Sequence, residues 1–148
     1  MLQIQRLLPT ARARLVVLST GALLIDAAKL LNGPSINLVV VCNDTNKMAG
    51  VITKTDVVAH ISQCTGCSCT MAASTVMTTD VAFCRPGDWL NDVWDTIKMR
   101  GLKNVPIVDQ ESKPLGVLNA KDVLQSLLQD VEYEEGLLRD YVMNVGYR

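Results

Sequence analysis

Two short segments, one in each half of the chain, combine the residue types that hold a small anionic ligand. They are Gly50-Val51-Ile52-Thr53-Lys54-Thr55-Asp56 and Gly116-Val117-Leu118-Asn119-Ala120-Lys121-Asp122. In each, an apolar run reads as a strand ending in a hydroxyl or amide side chain, and an aspartate follows in the first turn of a predicted helix. Such a helix start offers unpaired backbone N–H groups to an anion. A carboxylate beside it can accept both hydrogen bonds of a vicinal diol, as a ribose presents, and Thr53 and Lys54 would reach phosphate oxygens. The same residues also make a helix start without a ligand, with Thr53 or Asn119 as the N-cap and Asp56 or Asp122 near the positive end of the dipole. The spacing alone leaves both readings open.

A second cluster is His60-x3-Cys64-x2-Cys67-x-Cys69, with the chain's single histidine and three of its 5 cysteines. Four such ligands could close a tetrahedral zinc site, and a cysteine pair could act as a reversible thiol switch. Against zinc, Cys-x-Cys makes a strained chelate. Against a switch, no Lys or Arg flanks these thiols to lower a pKa. The alternative places His60 at a helix C-terminus, where the dipole favours it, and leaves the cysteines as small linker residues. No metal or other cofactor is expected to be required. No nucleophile–base pair and no phosphate-loop lysine motif is present, so an enzyme is not expected.

The elements that must position these residues emerge from an internal repeat. Shifted by 66 residues, the chain matches itself without a gap: Gly21, Leu24, Asp26, Val39, Lys47, Gly50, Val51, Asp56 and Val57 fall on Gly87, Leu90, Asp92, Val105, Lys113, Gly116, Val117, Asp122 and Val123. Each copy begins with a short apolar start, Val16-Val17-Leu18 or Val81-Ala82-Phe83, and a turn at Gly21 or Gly87. A helix follows whose apolar face is Leu23, Leu24, Ala27, Ala28 and Leu31, or Trp89, Leu90, Val93, Trp94 and Ile97. Trp89 and Trp94 read as core and interface residues, with an aromatic ligand clamp as the alternative. Next come a buried strand, Leu38-Val39-Val40-Val41-Cys42 or Val105-Pro106-Ile107-Val108, a polar turn, and a second strand at 49–53 or 115–119. A last helix starts near Lys54 or Ala120. The expected fold is α+β, two β-α-β-β-α units packed through their sheets about a pseudo-twofold axis. One unit alone is too small to bury its sheet. The predicted boundaries are an N-terminal extension at 1–15, unit one at 16–61, a Cys-rich linker at 62–74, unit two at 75–130 and a C-terminal tail helix at 131–148.

Composition narrows the function. The chain has 148 residues, 49% of them apolar, and 14 basic against 15 acidic side chains leave a net charge of −1. That excludes intrinsic disorder and gives no positive excess to meet a nucleic-acid backbone. Aromatic residues are 4%, too few for base-stacking platforms. The odd cysteine count, with Cys42 and Cys84 inside apolar runs, fits a reducing cytoplasm. Arg6, Arg12 and Arg14 before the apolar run 15–25 imitate a signal peptide, but Asp26 and Lys29 continue the helical pattern and the run has a counterpart in unit two. The longest charge-free stretch, 57–79, is rich in Ser, Thr, Cys and Gln and does not read as a membrane span.

The two junctions, the run Gly101-Leu102-Lys103-Asn104-Val105-Pro106-Ile107-Val108-Asp109 and the paired β-α-β-β-α pattern together resemble a tandem pair of cystathionine-β-synthase (CBS) domains, a Bateman module, over residues 16–130 or so. The resemblance implies a regulatory module that senses AMP, ADP, ATP or S-adenosylmethionine in two clefts between the units and signals to a separate protein. It implies dimerisation through helices, hence a homodimer. Carried over by position, Asp56 and Asp122 would hold two ribose diols. Thr53, with Val17, Leu18, Val39 and Val40, would form the first cleft. Asn119, with Phe83, Cys84, Val105 and Pro106, would form the second. Lys54, Lys103 or Lys121 would meet phosphates. Asn119 departs from the Ser or Thr of the family pattern. The alternatives are a metal- or redox-responsive protein that uses His60, Cys64, Cys67 and Cys69, and a ligand-free dimerisation module. The acidic tail, with Tyr133, Tyr141 and Tyr147, would dock the partner or extend the dimer interface.

Overall fold

A computed structural model describes residues 2–63, 66 and 70–146, with 133, 134 and 137–146 by backbone alone. A 3-10 turn at Ile4–Leu7 leads into α1 (Leu8–Ala13). Unit one follows as β1 (Val17–Ser19), α2 (Leu24–Leu31), β2 (Leu38–Cys42), β3 (Met48–Thr53) and α3 (Lys54–Ser62). A short α4 (Ala73–Val76) precedes unit two, which holds α5 (Leu90–Arg100), β4 (Asn104–Val108), β5 (Pro114–Asn119) and α6 (Ala120–Gly146).

The two hairpins pair in the same register, offset by 66 residues. β2 pairs antiparallel with β3 from Leu38–Thr53 inward, and β4 with β5 from Asn104–Asn119 inward, with a bulge at Val41/Cys42 and its mate Ile107/Val108. Both turns are built on a side-chain carbonyl or carboxylate that copies a backbone turn. Asn43 Oδ1 accepts from the N–H groups of Thr45 and Lys47, and Asp109 Oδ1 from those of Glu111 and Lys113. Asn46 and Ser112 take the left-handed conformation that closes each turn, at φ 62° and 66°.

The third strand differs between the units. β1 pairs parallel with β2 from Val17–Val40 to Ser19–Cys42. In unit two the expected strand at Val81-Ala82-Phe83 is absent, and a single parallel bridge joins Cys84 to Ile107. Two prolines explain the loss, since proline has no N–H to donate. In unit one Val40 N donates to Val16 O and Thr20 N to Cys42 O. Their mates are Pro106 and Pro86, so only the two bonds through Cys84 survive.

β2 is buried on both faces, which is why it reads as a continuous apolar run. Val39 and Val41 face the core with α2, while Leu38, Val40 and Cys42 cluster with Val51 of their own sheet and Val117 of the opposite sheet. The units thus pack through their sheets, as expected. The acidic tail is not a separate helix: α6 runs unbroken for 27 residues from the last helix of unit two, with residues 147–148 outside the described chain.

The segment expected as an N-terminal extension packs onto unit two. Ile4 and Ala11 are buried in its core. Leu90 N donates to Leu2 O, Ile4 N to Asp88 O and Gln5 N to Pro86 O. α1 lies so close on β5 that a Cβ at Gly116 would fall 2.7 Å from the carbonyl carbon of Ala11. Unit one is completed in the same way from upstream of unit two. Thr78 and Val51 exchange backbone hydrogen bonds, and a Cβ at Gly50 would fall 2.6 Å from Thr78 O. Gly116→Ala must push backbone against backbone and is expected to destabilise the chain by about 1–3 kcal/mol, the usual range for overpacking. Denaturant unfolding reads this as a lower midpoint at unchanged slope. Gly87→Ala, where the new methyl meets nothing within 4 Å, is the matched control and leaves the midpoint in place.

Candidate functional site

β3 ends where α3 begins, and the junction closes on itself. Asp56 N donates to Thr53 Oγ1 at 3.3 Å, and Thr53 N donates to Asp56 Oδ2 at 2.9 Å. This is the reciprocal cap that the residue types allow. It leaves Asp56 Oδ1 without a hydrogen bond among the described residues. The junction opens on a cavity of about 800 Å³ between the units.

One wall belongs to unit one, with Asn37, Leu38, Val51 and the junction from Thr53 to Asp56. The other wall carries Thr78, Asp80, Val81 and Ala82, then residues 100–104 at the end of α5, then Asn119, Ala120 and Lys121. Lys54, Lys103, Lys121 and Arg100 outnumber Asp56 and Asp80 among the lining side chains, so the cavity has a positive balance. Two of these groups are partly engaged: Arg100 Nη2 stands 3.7 Å from Asp80 Oδ2, and Lys54 Nζ 3.5 Å from Gly33 O.

The structure corrects the expected walls. Val17, Leu18, Val39 and Val40 do not line the Asp56 cavity, and Val39 and Val40 have no exposed surface at all. Because the sheets pack face to face, the Asp56 junction shares its cavity with Leu38 and Val51 of its own strands and with residues of the opposite unit, not with Val17, Leu18, Val39 or Val40. Phe83, Cys84 and Val105 line a different cavity of about 400 Å³, with Asp88, Trp89 and Asp92 at the start of α5. Pro106 is buried and lines neither cavity. Lys103, Asn119 and Lys121, expected partly in a second cleft, all line the first one.

The second junction is built differently. Asn119 Oδ1 accepts from Lys121 N at 2.9 Å, and Asn119 Nδ2 donates to Asn104 Oδ1 at 3.3 Å. Asp122 Oδ2 accepts from Arg14 Nε at 3.0 Å, in an ion pair with both side chains largely shielded. Arg14, Asp80 and Arg100 are not among the site residues expected from the sequence, where Arg14 figures only in the signal-peptide-like run. The available signal was that Arg14 and Asp80 occupy matching positions of the repeat with opposite charge.

His60 lies in the last turn of α3, the position that the alternative reading gives it. Cys64, Cys67 and Cys69 lie outside the described residues. Among the described residues, no group of three His, Cys, Asp or Glu side chains is placed to hold a metal ion. Trp94 packs against the core of unit two, whereas Trp89 is exposed.

A family model for the CBS domain matches residues 10–63 and 73–129. The uncharacterized 17.7 kDa protein in the bps2 3′ region of Acidianus ambivalens is 24% identical over 136 residues, covering 92% of this chain and 81% of its own. Among solved structures, CBSX2 in complex with AMP is similar at 23% identity and a TM-score of 0.73, over 87% of this chain and 98% of its own. The CBS domain pair of protein MJ0100, in complex with 5′-methylthioadenosine and S-adenosyl-L-methionine, is similar at 17% identity and a TM-score of 0.73, over 88% of this chain and 98% of its own. At these identities the two structures share the fold of this chain.

The two described cysteines are inert by environment. Burial, and then the nearby charge of Asp88, push the Cys84 thiol up to about 12, and burial raises that of Cys42. Both thiols therefore stay protonated at neutral and mildly alkaline pH, and only the thiolate is nucleophilic. Iodoacetamide at pH 8 is expected to leave Cys42 and Cys84 unlabelled in the folded chain and to label both in denaturant, as read by peptide mass spectrometry. The unfolded thiols lose their protons near pH 9 while the folded ones keep theirs, so these residues lower stability as pH rises above about 9.

Proposed function

The chain belongs to the CBS domain family, as a tandem pair of motifs, and from this premise we propose that it is a regulatory module that binds a phosphorylated adenosine derivative in the cavity between its motifs and signals to a separate protein. The observation that carries this reading is the Asp56 junction: a carboxylate oxygen left unengaged at the start of α3, in the same cavity as Lys103, Lys121 and Arg100. Asp56 Oδ1 would accept the ribose diol, and the lysines would meet phosphate oxygens. Val51, Val81 and Leu102 supply apolar surface for the base. Relatives in the same fold hold AMP in one case and S-adenosyl-L-methionine with 5′-methylthioadenosine in another. The cationic balance favours AMP, ADP or ATP over the sulfonium of S-adenosylmethionine.

The proposed role is binding without turnover. The ligand would touch both units, so its affinity depends on how they are oriented, and binding shifts the population of orientations. No helix among the described residues is long and apolar enough to cross a membrane.

A homodimer is part of the proposal. α3 exposes Val58 and Ile61, and α6 exposes Leu124, Leu128 and Val131. Leu124 is the repeat mate of Val58, so both units present an apolar helix face. We expect sedimentation velocity to show a dimer, and Val58→Asp with Leu128→Asp to give a folded monomer. A dimer unchanged by both substitutions would move the interface elsewhere.

Asp56→Ala is expected to weaken nucleotide binding by tenfold or more, the loss of a charge-assisted hydrogen bond of about 1.5–3 kcal/mol. Calorimetric titration with AMP, ADP, ATP and S-adenosylmethionine measures it. Failure of all four to bind would leave a ligand-free dimerisation module.

A further inference from the structure

The two halves of the repeat place opposite charges beside their matching aspartates. Asp122 is the mate of Asp56, and Arg14 is the mate of Asp80. At the first junction Asp80 lines the same cavity as Asp56. Two carboxylates do not attract, and Asp80 is turned toward Arg100. At the second junction the corresponding residue is a cation, and it has closed on its aspartate. Arg14 Nε stands 3.0 Å from Asp122 Oδ2, with the side chains 29% and 23% exposed.

We propose that Arg14 occupies the second ribose position, so that this chain takes one nucleotide, at Asp56, and that releasing Arg14 from Asp122 opens a second. This rests on the reading of the preceding subsection. Three observations support it. Arg14 immediately follows α1, which is wedged on β5 where Ala11 meets Gly116, so its guanidinium is presented to Asp122 at high effective concentration. A ribose diol must displace it and leave a partly shielded charge without its partner. Asn119, the mate of the capping Thr53, is turned to Asn104 Oδ1 and to the backbone N–H of Lys121. The cavity that begins at Asp56 reaches Lys121, and Asp122 is not among its lining residues.

The test counts nucleotides per chain. Native mass spectrometry and calorimetry with AMP and with ATP are run on the wild-type chain, Arg14→Ala, Arg14→Gln and Arg14→Ala/Asp122→Ala, each first shown to be folded by a cooperative thermal transition. Arg14→Gln keeps the side-chain length should the alanine variant fail to fold. The expected result is one equivalent for wild type, two for either Arg14 variant, and one again when Asp122 is also removed. Two equivalents on wild type would overturn the proposal, as would a single equivalent on the folded Arg14 variants, and both would leave the Asp56 reading intact. No ligand on wild type but one on Arg14→Ala, lost with Asp122→Ala, would support the role of Arg14 and overturn the Asp56 reading. No ligand on any variant would overturn both.

Discussion

One close contact, made twice, determines where everything else sits. In each unit a glycine on the last strand lets the backbone segment that precedes the other unit lie directly on the sheet: Ala11 on Gly116, and Thr78 on Gly50. A unit of this size cannot cover its own sheet, so the borrowed segment completes the core. It also delivers side chains. The segment on Gly50 carries Asp80, Val81 and Ala82 to the wall opposite Asp56. The segment on Gly116 carries Arg14 to Asp122. A packing constraint therefore sets the chemistry at both junctions, and small differences in the borrowed segments make the two ends unlike.

Electrostatics follows from that placement. The cavity is lined by four cationic and two acidic side chains, although the chain as a whole is nearly neutral at −1. A local positive balance inside a concave site is worth more to a phosphate than the same charges on open surface, because the walls exclude part of the screening water. The start of α3 adds the N–H groups of Lys54 and Thr55, which line the space, whereas at the start of α6 Ala120 N donates to Lys103 O and Lys121 N to Asn119 Oδ1.

Much of this was legible from residue order alone. The hairpins were, because Asn43 and Asp109 make the same side-chain turn and the apolar strands repeat at one spacing. So were the helix starts at Lys54 and Ala120, because Thr53, Asp56 and Asn119 are capping types. Long-range packing was not. Residues 8–13 share no identity with 74–79, so nothing in the repeat pointed to the two borrowed segments. Without them, Val39 and Val40 were assigned to a cleft wall when they are buried between sheet and helix and between the two sheets. The missing strand of unit two could have been inferred. Pro86 and Pro106 fall at the mates of two donors, but a donor is recognised as such only once the parallel pairing of β1 with β2 is seen. The tail was separated from unit two on composition, yet no proline interrupts residues 120–146 and the helix continues.

The same two helices join the cavity to the surface. α3 and α6 begin on the cavity, at Lys54 and Ala120, and within about one turn each exposes an apolar residue, Val58 or Leu124. A ligand that prefers one separation of the two helix starts must also prefer one arrangement of the two apolar faces, because a hydrogen-bonded helix transmits displacement along its length rather than absorbing it. Whatever covers those faces then has a different affinity for the two arrangements, and by linkage it changes the affinity of the cavity by the same factor. The asymmetry of the junctions sharpens this coupling. With Arg14 tying α6 to the segment after α1, the start of α6 is held by an internal ion pair, while the start of α3 has no comparable clamp among the described residues and is free to report what binds beside Asp56.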